Sequence, residues 1–425
     1  MYKWLLLLIF YLPFQIALNP PGGFDLASIR VFILILFVFW LVKIRKFFFN
    51  NLQAPGLFFF LILAGISLLG AQNPLWGARK IAYFLSVFPL YFLVVNLANS
   101  LEKTKKIISV LVNGGIIIAL IGFLQFLSQF IFGLERVYGF WAVNILPIFS
   151  GFNLGALIMA YPSWLVNVSG QTIMRAFSLF SDPHMFSFYL GLILPLGIVL
   201  SIKKNKKLLF TCLNVCMFMC LLLSFTRGAY LALISSFLVL AFLFWKYLGN
   251  RKIALLLFVS LLIFVVPGTA ISDRFYSTFN LSEGSNAGRL EMWQEASRIG
   301  LNNFWQGVGL GNYSSIINTD FGYRNPITAH NLYLDIFSEM GFFALAVWLL
   351  LILGTIGHLF DRIREMKDNT ERKYLLVGLI GSLVYLSVHS FFETPLYSPV
   401  VLAVLMIVLG LSTICLKKSS DSESI

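Results

Sequence analysis

The stretch VFILILFVFWLV, residues 31–42, is apolar at every position. A strand of a transmembrane β-barrel alternates apolar and polar residues, so this stretch does not fit a barrel. Inside a bilayer the other structure that satisfies its own backbone hydrogen bonds is an α-helix. The stretch therefore predicts a helix surrounded by lipid or by other apolar helices.

The composition extends this prediction to the whole chain. Of its 425 residues, 59% are hydrophobic and 12% are charged, whereas soluble proteins carry about 25% charged residues. This excludes a soluble monomer and predicts an all-α integral membrane protein, a single polytopic domain over residues 1–425. Apolar blocks of roughly 17 to 22 residues give about twelve transmembrane helices, at 2–18, 29–42, 57–70, 81–98, 107–126, 184–202, 208–224, 229–247, 253–270, 341–358, 375–391 and 396–415.

The net charge of +13 is interpreted as a topology signal, and no nucleic-acid partner is expected. With the N-terminus in the cytoplasm and spans alternating, 21 of the 31 Lys and Arg residues lie inside and ten outside. Cytoplasmic loops of membrane proteins carry an excess of basic residues. The sequence therefore predicts that both termini are cytoplasmic.

The basic residues on the outer side differ in type from those inside. The inner set has 16 Lys and 5 Arg, whereas the outer set has 9 Arg and one Lys. Arginine binds phosphate through two parallel hydrogen bonds, although any single one could instead extend its charge to the membrane interface. The outer set is Arg30, Arg79, Lys80, Arg136, Arg175, Arg227, Arg274, Arg289, Arg298 and Arg324.

Two outer segments are too long for simple turns. Residues 127–183 are rich in glycine and aromatic residues and predict an interfacial segment that lies against the membrane. Residues 272–340, between the ninth and tenth spans, form the most polar part of the chain outside the cytoplasmic loops. Long loops often carry function, so this second segment is predicted to be the catalytic loop.

The sequence ITAHNLYLDIFSEMGFFAL, residues 327–345, puts His330 just before a helical pattern and makes Asn331 a candidate helix cap. A neutral imidazole could accept a proton from a hydroxyl near pH 7. The alternative is a polar residue that only bonds the backbone at the helix start. At SDPH, residues 181–184, Asp182 is predicted to be such a cap and Pro183 to occupy the first turn.

Three further motifs accompany this histidine. SFTRGAY, residues 224–230, puts Arg227 at the start of a span, where the helix macrodipole disfavours a cation and an anionic partner would stabilise it. GRLEMWQEASR, residues 288–298, predicts an amphipathic helix that carries Arg289. GVGLGNY, residues 307–313, allows close backbone approach to a ligand or a tight turn, and lacks the strand and Gly-Lys-Ser/Thr sequence of a nucleotide loop.

No metal site or cofactor is predicted. Cys212, Cys216 and Cys220 recur on one helix face without a nearby histidine or carboxylate, which favours apolar packing. The outer loops contain no Asp-x-Asp pair and no histidine–carboxylate cluster with ligand spacing. We therefore expect a metal-independent mechanism.

In this order, SFTRGAY, Arg289 with Trp293, GVGLGNY and AHNLYLDIFSEMG resemble the O-antigen ligase and polysaccharide polymerase superfamily of bacterial membrane glycosyltransferases. The strongest resemblance covers residues 224–345, and at SDPH the family often has asparagine in place of His184. The resemblance implies a GT-C-like helical fold in the cytoplasmic membrane with its active site on the outer face. It also implies a polyprenyl diphosphate-linked glycan donor and a hydroxyl acceptor on a glycan, lipid or protein.

By motif position, the resemblance implies that Arg227 and Arg289 hold the donor diphosphate and that His330 acts on or orients the acceptor hydroxyl. Further candidates for substrate binding are Arg79, Arg175, Arg324, Asn331, Gly309, Gly311 and Tyr313. The expected reaction is direct displacement at the anomeric carbon with inversion, with undecaprenyl diphosphate as the leaving group. A transporter or flippase for an anionic solute or lipid-linked glycan is the main alternative, because arginine-lined cavities also suit passage. The third hypothesis is a non-catalytic subunit of an assembly.

Overall fold

A computed structural model describes residues 1–19, 25–43, 52–152, 163–168, 170–202, 207–280, 284–317, 327–367 and 371–416. These residues are predominantly helical. The helices are α1 (Tyr2–Tyr11), α2 (Ser28–Lys43), α3 (Gln53–Ser67), α4 (Pro74–Val87), α5 (Pro89–Leu97), α6 (Leu101–Phe132), α7 (Leu134–Phe140), α8 (Leu146–Ser150), α9 (Pro183–Ile202), α10 (Lys207–Leu223), α11 (Arg227–Lys246), α12 (Arg251–Ser260), α13 (Ala270–Tyr276), α14 (Gly284–Asn302), α15 (Tyr313–Ile317), α16 (Leu332–Glu365), α17 (Glu371–His389) and α18 (Pro399–Leu416).

Two short antiparallel hairpins interrupt the helices. β1 (Ala17–Leu18) pairs with β2 (Leu26–Ala27), with Ala17 opposite Ala27. β3 (Leu165–Val168) pairs with β4 (Gln171–Met174), with Leu165 opposite Met174. The second hairpin lies within the predicted interfacial segment 127–183, which also contains α7, a π-helical turn at Trp141–Ile145 and α8.

The prediction of a multi-pass helical membrane protein is confirmed. Seven helices among the described residues are long and apolar enough to cross a membrane: Gln53–Gly70, Pro74–Leu97, Leu101–Phe132, Pro183–Ile202, Arg227–Lys246, Leu332–Glu365 and Pro399–Leu416. The number twelve itself is not established by this count. Tyr2–Phe14 and Leu208–Leu223 are shorter apolar helices.

The apolar run 253–270 is not one continuous helix, and here the predicted span was wrong. α12 ends at Ser260, a 3₁₀ turn covers Leu261–Phe264, and α13 begins only at Ala270. Pro267 lies between them and lacks a backbone donor, and Gly268 has a φ of +78°. Both features end helices, so apolar composition overestimated the helix length.

The centre of the bundle is α17, which packs against α9 and α11. A Cβ added at Gly191 of α9 would lie 2.0 Å from the Tyr385 ring, and one at Gly381 would lie 2.9 Å from Leu240 of α11. Small residues let membrane helices approach closely and gain van der Waals contact. The packing of α17 fixes the end of that helix, which leads directly into the candidate site.

Helix α16 contains a bend. Gly341 has a φ of +77° and ψ of −175° inside the helix. A Cβ there would lie 2.4 Å from the carbonyl oxygen of Trp305, and the Phe342 amide donates to the Phe304 carbonyl at 2.8 Å. The segment before α15 therefore fills the bend, and the first part of α16, Leu332–Met340, is set apart from the apolar span that follows.

Candidate functional site

Four helices begin at the same end of the bundle. α9 begins beside His184, α11 begins at Arg227, α16 begins just after His330, and α18 begins six residues after Glu393. Helix N-termini carry partial positive charge from unsatisfied backbone amides, which favours anions. This end of the bundle is therefore suited to a negatively charged group before any side chain is considered.

Glu393 lies at the centre of this end and was not identified from the sequence. Its carboxylate contacts His330 Nδ1 at 2.9 and 3.0 Å, His184 Nδ1 at 3.7 Å and Arg289 Nη2 at 3.9 Å. We call these four residues the Glu393 cluster. They come from four separate parts of the chain: the start of α9, helix α14, the residue before Asn331, and the loop between α17 and α18.

His330 and Glu393 form a hydrogen-bonded pair with unequal exposure. The His330 side chain is 39% exposed, whereas that of Glu393 is 10% exposed. A carboxylate can only accept, so Nδ1 of the imidazole donates to Glu393 and Nε2 is the nitrogen left to act as an acceptor. The pair thus has one nitrogen, Nε2, that can accept a proton, and the bond from Nδ1 to Glu393 fixes the orientation of the ring.

The pKa values of this pair depend on each other. The negative charge of Glu393 raises the pKa of His330, although burial acts against it. Burial alone would raise the pKa of Glu393, but the cationic form of His330, together with His184 and Arg289, holds that pKa below its ordinary value. Glu393 is therefore ionised across the physiological pH range, and its charge holds the pKa of His330 above the ordinary value of a histidine.

The backbone around the site is held in uncommon conformations. Among the described residues, Ser178, Phe225 and His330 are the non-glycine residues with positive φ, at 56°, 47° and 49°. Phe225 comes two residues before Arg227, and His330 belongs to the Glu393 cluster. Such conformations cost about 1–3 kcal/mol each and persist where surrounding structure fixes them, often at functional sites.

Arg227 and Arg289 lie on facing elements. Arg227 Nη1 donates to the Ser277 carbonyl at 3.1 Å, and Asn286 Nδ2 of α14 donates to the same oxygen at 3.1 Å. Burial lowers the pKa of the Arg289 guanidinium, Glu393 opposes this, and the charge of Arg227 lowers it further. The two guanidinium groups are therefore within electrostatic range of each other, and an anion between them would relieve their repulsion.

Gly228 allows the Glu393 loop to approach α11. A Cβ at this position would lie 2.6 Å from Phe392 Cβ and 3.1 Å from His389 Cδ2. On the other side, the Phe392 ring lies 6.2 Å from that of Trp293, one helical turn beyond Arg289. The glycine that follows Arg227 in the sequence therefore has a packing role, because it brings Arg227, Arg289 and Glu393 to one place.

Arg175 is committed to protein contacts. Its Nε, Nη1 and Nη2 donate to the Ser224 carbonyl at 2.7 Å, the Ser163 carbonyl at 3.0 Å and Thr226 Oγ1 at 2.8 Å. Burial lowers its pKa to about 9, and the charge of Arg274 acts in the same direction. These bonds connect the β3–β4 hairpin to the residues that precede Arg227. Arg175 therefore stabilises the backbone next to the site.

Two other polar residues at the site act as helix caps, and two predicted arginines do not belong to the four-residue Glu393 cluster. Asn331 caps α16, since its Oδ1 accepts from the Tyr333 and Leu334 amides at 3.0 and 3.2 Å, as predicted. Asp182 likewise caps α9 through the His184 and Met185 amides at 2.8 and 2.9 Å. Arg79 lies on α4 and is exposed. Arg324 lies outside the described residues.

Gly309, Gly311 and Tyr313 belong to a turn that docks on α16. The amides of Val308 and Gly309 donate to the Ser338 and Glu339 carbonyls, each at 2.9 Å. A Cβ at Gly309, which has a φ of +96°, would lie 2.4 Å from Ala71 Cβ. The Tyr313 hydroxyl donates to the Met292 carbonyl at 3.3 Å. These contacts account for the glycines through close packing.

Glu339, one helical turn after Asp335 on α16, forms a second buried polar group. Lys80 Nζ contacts its carboxylate at 3.3 Å, the Tyr397 hydroxyl donates to it at 3.0 Å, and Lys80 lies 3.9 Å from the centre of the Tyr397 ring. Asp335 accepts from Thr394 Oγ1 and from the Ala329 amide. The two acidic residues thus connect α16 to the loop that carries Glu393.

No group of three or more His, Cys, Asp or Glu residues in the described part of the chain has metal-site geometry. The two acidic residues Glu393 and Glu339 were not identified from the sequence, whereas Lys80 and Arg274 belong to the outer set of basic residues. For Glu393 a signal existed, since HSFFETP contains an acidic residue in the short outer turn between the last two predicted spans. His184 belongs to a predicted helix start, and no pattern in the sequence indicates its contact with Glu393.

Part of the chain matches a known protein family. Residues 212–349 match the family model described as O-Antigen ligase. The matched segment begins in α10 and ends in α16, so it contains Arg227, Arg289 and His330, whereas Glu393 lies beyond it. A comparison with curated proteins gives no match. This match confirms, over residues 212–349, the family resemblance inferred from the motifs.

Proposed function

We propose that the protein is a membrane glycosyltransferase that moves a glycan from a polyprenyl diphosphate donor to an acceptor hydroxyl. The observation that carries this proposal is the His330–Glu393 pair, 2.9 Å apart, with Arg289 beside Glu393 and Arg227 close enough to Arg289 to lower its pKa. At one end of the bundle, a proton acceptor therefore lies beside arginines that can bind an anion. The match to the O-antigen ligase family supports the same class of reaction.

In the proposed reaction, His330 Nε2 takes the proton of the acceptor hydroxyl while that oxygen attacks the anomeric carbon of the donor. The bond between this carbon and the diphosphate oxygen breaks, and undecaprenyl diphosphate leaves with the bonding electrons. The configuration at the sugar inverts and no covalent enzyme intermediate forms. A positioned base contributes typically 10²–10⁴-fold to such a step.

The arginines stabilise the leaving group in this proposal. Charge develops on the diphosphate oxygen as the bond breaks, and preorganised donors in a site of low polarity stabilise it more than water does. Arg289 and Arg227 supply two such guanidinium groups, and the converging N-termini of α9, α11 and α16 add their partial charges. Neutralisation by protein groups makes the expected reaction independent of a divalent metal.

Glu393 has a positioning role. It holds the His330 ring by two contacts, at 2.9 and 3.0 Å, and keeps the proton on Nδ1 so that Nε2 faces the acceptor. Its charge also stabilises the imidazolium that forms during the transfer, as the pKa shift of His330 indicates. In many activated sites one group accepts the proton and a second group orients that base.

The test is transfer by the purified protein. Incubation with a polyprenyl diphosphate-linked glycan and an acceptor should release polyprenyl diphosphate, and excess EDTA after metal stripping should leave the rate unchanged. Loss of activity that returns with Mg²⁺ or Mn²⁺ would contradict metal independence. A flippase would instead move the donor across a vesicle membrane without releasing polyprenyl diphosphate, and that outcome would reject the proposal.

The proposed topology puts this site on the outer face of the cytoplasmic membrane, with both termini inside. Asn302 at the end of α14 is exposed. In a cysteine-free background, Asn302→Cys should react with a membrane-impermeant maleimide in intact cells whose outer barrier is permeable. Reaction only after lysis would reverse the orientation and with it the side on which the donor is used.

A further inference from the structure

Asp335, in the first turn of α16, is not used in the proposed reaction, yet it contacts the neighbours of both His330 and Glu393. Its Oδ1 accepts the Ala329 amide at 2.8 Å, and its Oδ2 accepts the Thr394 hydroxyl. Ala329 directly precedes His330, and Thr394 directly follows Glu393. One carboxylate therefore joins the two segments that carry the proposed base and its partner. We call these two hydrogen bonds the Asp335 bridge.

The Asp335 bridge is shielded from water. Asp335, Thr394 and Ala329 are all buried, and in surroundings of low polarity a hydrogen bond is stronger than in water. Breaking one half of the bridge would leave a buried polar group without its partner, which costs more than the bond itself contributes. The bridge therefore opposes any separation of the two segments.

The backbone of His330 needs such a restraint. Its φ of 49° is a left-handed conformation that a non-glycine residue keeps only where its surroundings fix it. The bridge holds the residue before it, and the Leu332 amide, which donates to the Ser390 carbonyl at 2.9 Å, holds the backbone two residues after it. Ser390 and Thr394 belong to the loop between α17 and α18, the same loop as Glu393. The conformation of His330 is therefore fixed relative to Glu393.

Thr394 transmits the restraint to the Glu393 carboxylate. The Thr394 amide donates to Glu393 Oε1 at 3.3 Å, and that carboxylate accepts from His330 Nδ1 at 2.9 and 3.0 Å. A movement of Thr394 would therefore displace the oxygens that orient the imidazole ring. Misplacement of a reacting group by about 1 Å can reduce a rate by about 10²-fold, so a positioning contact here has consequences for the reaction.

The charge of Asp335 has less influence on His330 than the presence of Glu393 does. The charged groups that face His330 are Glu393, Arg289 and Asp335, and Glu393 also faces His184. The charge of Glu393 raises the pKa of His330 most, burial and Arg289 lower it, and the charge of Asp335 raises it least. A change that moves Glu393 away from His330 should therefore alter this pKa more than loss of the Asp335 charge does.

We propose that Asp335 is a positioning residue that holds the His330 ring against the Glu393 carboxylate. It does so through the bridge, with Thr394 as the link to Glu393. This inference rests on the proposed function, in which His330 is the base. Loss of the bridge should let Glu393 move away, which leaves His330 less well oriented and lowers its pKa.

The test measures the pKa of His330 by NMR on the full protein in nanodiscs, with histidine labelled at Cε1. The chain has four histidines, and His330→Gln identifies the signal of interest. Thr394→Val removes the hydroxyl without changing the formal charge, so the pKa of His330 should fall. Thr394→Ser keeps the hydroxyl and should retain the pKa of the parent protein.

Two substitutions at Asp335 separate its position from its charge. Asp335→Ala breaks both halves of the bridge, so the pKa of His330 should fall. Asp335→Asn removes the charge but keeps an oxygen for the Ala329 amide and offers an N–H group to the Thr394 hydroxyl. The pKa should therefore fall less in Asp335→Asn than in Asp335→Ala.

Two further variants serve as controls. Thr355→Val removes another buried hydroxyl of α16, which accepts from Gln53 and donates to the Leu351 carbonyl. It should lower the temperature of unfolding and leave the pKa of His330 unchanged. In a Glu393→Gln background the charge that the bridge positions is gone, so adding Thr394→Val should not lower the pKa further.

Kinetics provide a second measurement. The single-turnover rate of Thr394→Val at saturating donor should fall by roughly tenfold to a hundredfold, and Thr394→Ser should restore it. Donor affinity should stay unchanged, because the bridge contacts neither Arg227 nor Arg289. The acid limb of the pH–rate profile should move to lower pH together with the pKa of His330.

The proposal is overturned if folded Thr394→Val keeps the parent pKa of His330, or if Thr394→Ser lowers it as much as Thr394→Val. It is also overturned if Thr355→Val causes the same shift, or if Asp335→Asn and Asp335→Ala lower the pKa equally. Thermal unfolding establishes that each variant is folded. The two Asp335 variants decide the question from the other side of the bridge if Thr394→Val does not fold.

These outcomes are distinct from failure of the proposed function, because the NMR titration needs no turnover. If the pKa of His330 shifts as expected but the parent protein never releases polyprenyl diphosphate, the positioning role stands and the transferase proposal fails. If the parent protein transfers glycan while the variants leave the pKa of His330 unchanged, the transferase proposal stands and the positioning role fails.

Discussion

The Glu393 cluster and the glycine turn at residues 307–311 both lie against the first part of α16, yet they use their polar groups differently. In the turn, the amides of Val308 and Gly309 donate to α16 carbonyls, and the nearby Lys80–Glu339 pair is 13% and 6% exposed. In the Glu393 cluster, the His330 side chain is 39% exposed, and it is Nδ1 that bonds Glu393, which leaves Nε2 to accept a proton. The first region is internally satisfied, whereas the second retains capacity for a ligand.

We infer that the glycine turn serves packing and that the Glu393 cluster serves the reaction. In the sequence, the turn is glycine-rich and the residues of the cluster are ionisable. Buried polar groups that are fully paired stabilise a unique packing, while unpaired or partly exposed ionisable groups in a concave site indicate function. Substitutions in the turn should therefore change stability, and substitutions in the cluster should change the reaction.

The largest expected effect is at the proposed base. His330→Gln keeps a polar side chain of similar length but removes the titratable nitrogen, so the single-turnover rate should fall by roughly 10²–10⁴-fold. Thermal unfolding of the variant should match the parent protein. A variant that unfolds at a markedly lower temperature but transfers glycan at the normal rate per folded molecule would make His330 a structural residue like Asn331.

The next effect is at the arginine that contacts Glu393. Arg289→Lys keeps the charge and loses the planar fork that binds two phosphate oxygens, so transfer should fall by roughly tenfold to a thousandfold. Arg298→Lys on the same helix, where the arginine pairs with Glu295 at the exposed surface, is the matched control and should transfer normally. Equal effects of the two substitutions would remove the special role of Arg289.

Gly309→Ala tests the other side of the comparison. The added Cβ would be forced into a left-handed conformation 2.4 Å from Ala71, which should cost about 1–3 kcal/mol of stability. Gly357→Ala, where nothing lies within 4 Å, is the matched control and should be neutral or slightly stabilising. Reduced donor affinity in Gly309→Ala without a loss of stability would indicate that the turn binds substrate.

The smallest effect is a shift in pH dependence. Transfer needs neutral His330, so the rate should rise with pH through the pKa of His330, which Glu393 raises. Glu393→Gln keeps a hydrogen-bond acceptor for Nδ1 but removes the charge, so the pKa should fall and the acid limb of the pH–rate profile should move to lower pH. An unmoved or oppositely shifted limb would show that this limb does not report the His330–Glu393 pair.

The fold was largely predictable because apolar runs of bilayer length leave the backbone few alternatives. The prediction was least accurate where composition and backbone chemistry conflict, as at Pro267 and Gly268, which divide one apolar run into separate helices. Composition measures how favourable burial is, whereas helix length depends on backbone donors and dihedral angles. The bend at Gly341 is fixed by contact with Trp305, which lies 36 positions earlier in the sequence.

The candidate site was predictable only in part. His330, Arg289 and Arg227 lie in recognisable motifs, and Asn331 and Asp182 act as the helix caps that their positions indicated. Glu393 lies 63 positions after His330, and its contact with that histidine depends on how α16 and α17 pack. A single sequence carries no information on such a pairing, so the residue that orients the proposed base became visible only in the structure.

The division of roles within the site is tested most directly by measuring donor affinity and single-turnover rate for His330→Gln and Arg289→Lys side by side in the same detergent. We predict that His330→Gln binds the polyprenyl diphosphate-linked donor as the parent protein does but turns it over at least about a hundredfold more slowly. Arg289→Lys should bind the donor more weakly. Loss of donor binding in His330→Gln, together with normal binding and turnover in Arg289→Lys, would contradict the account.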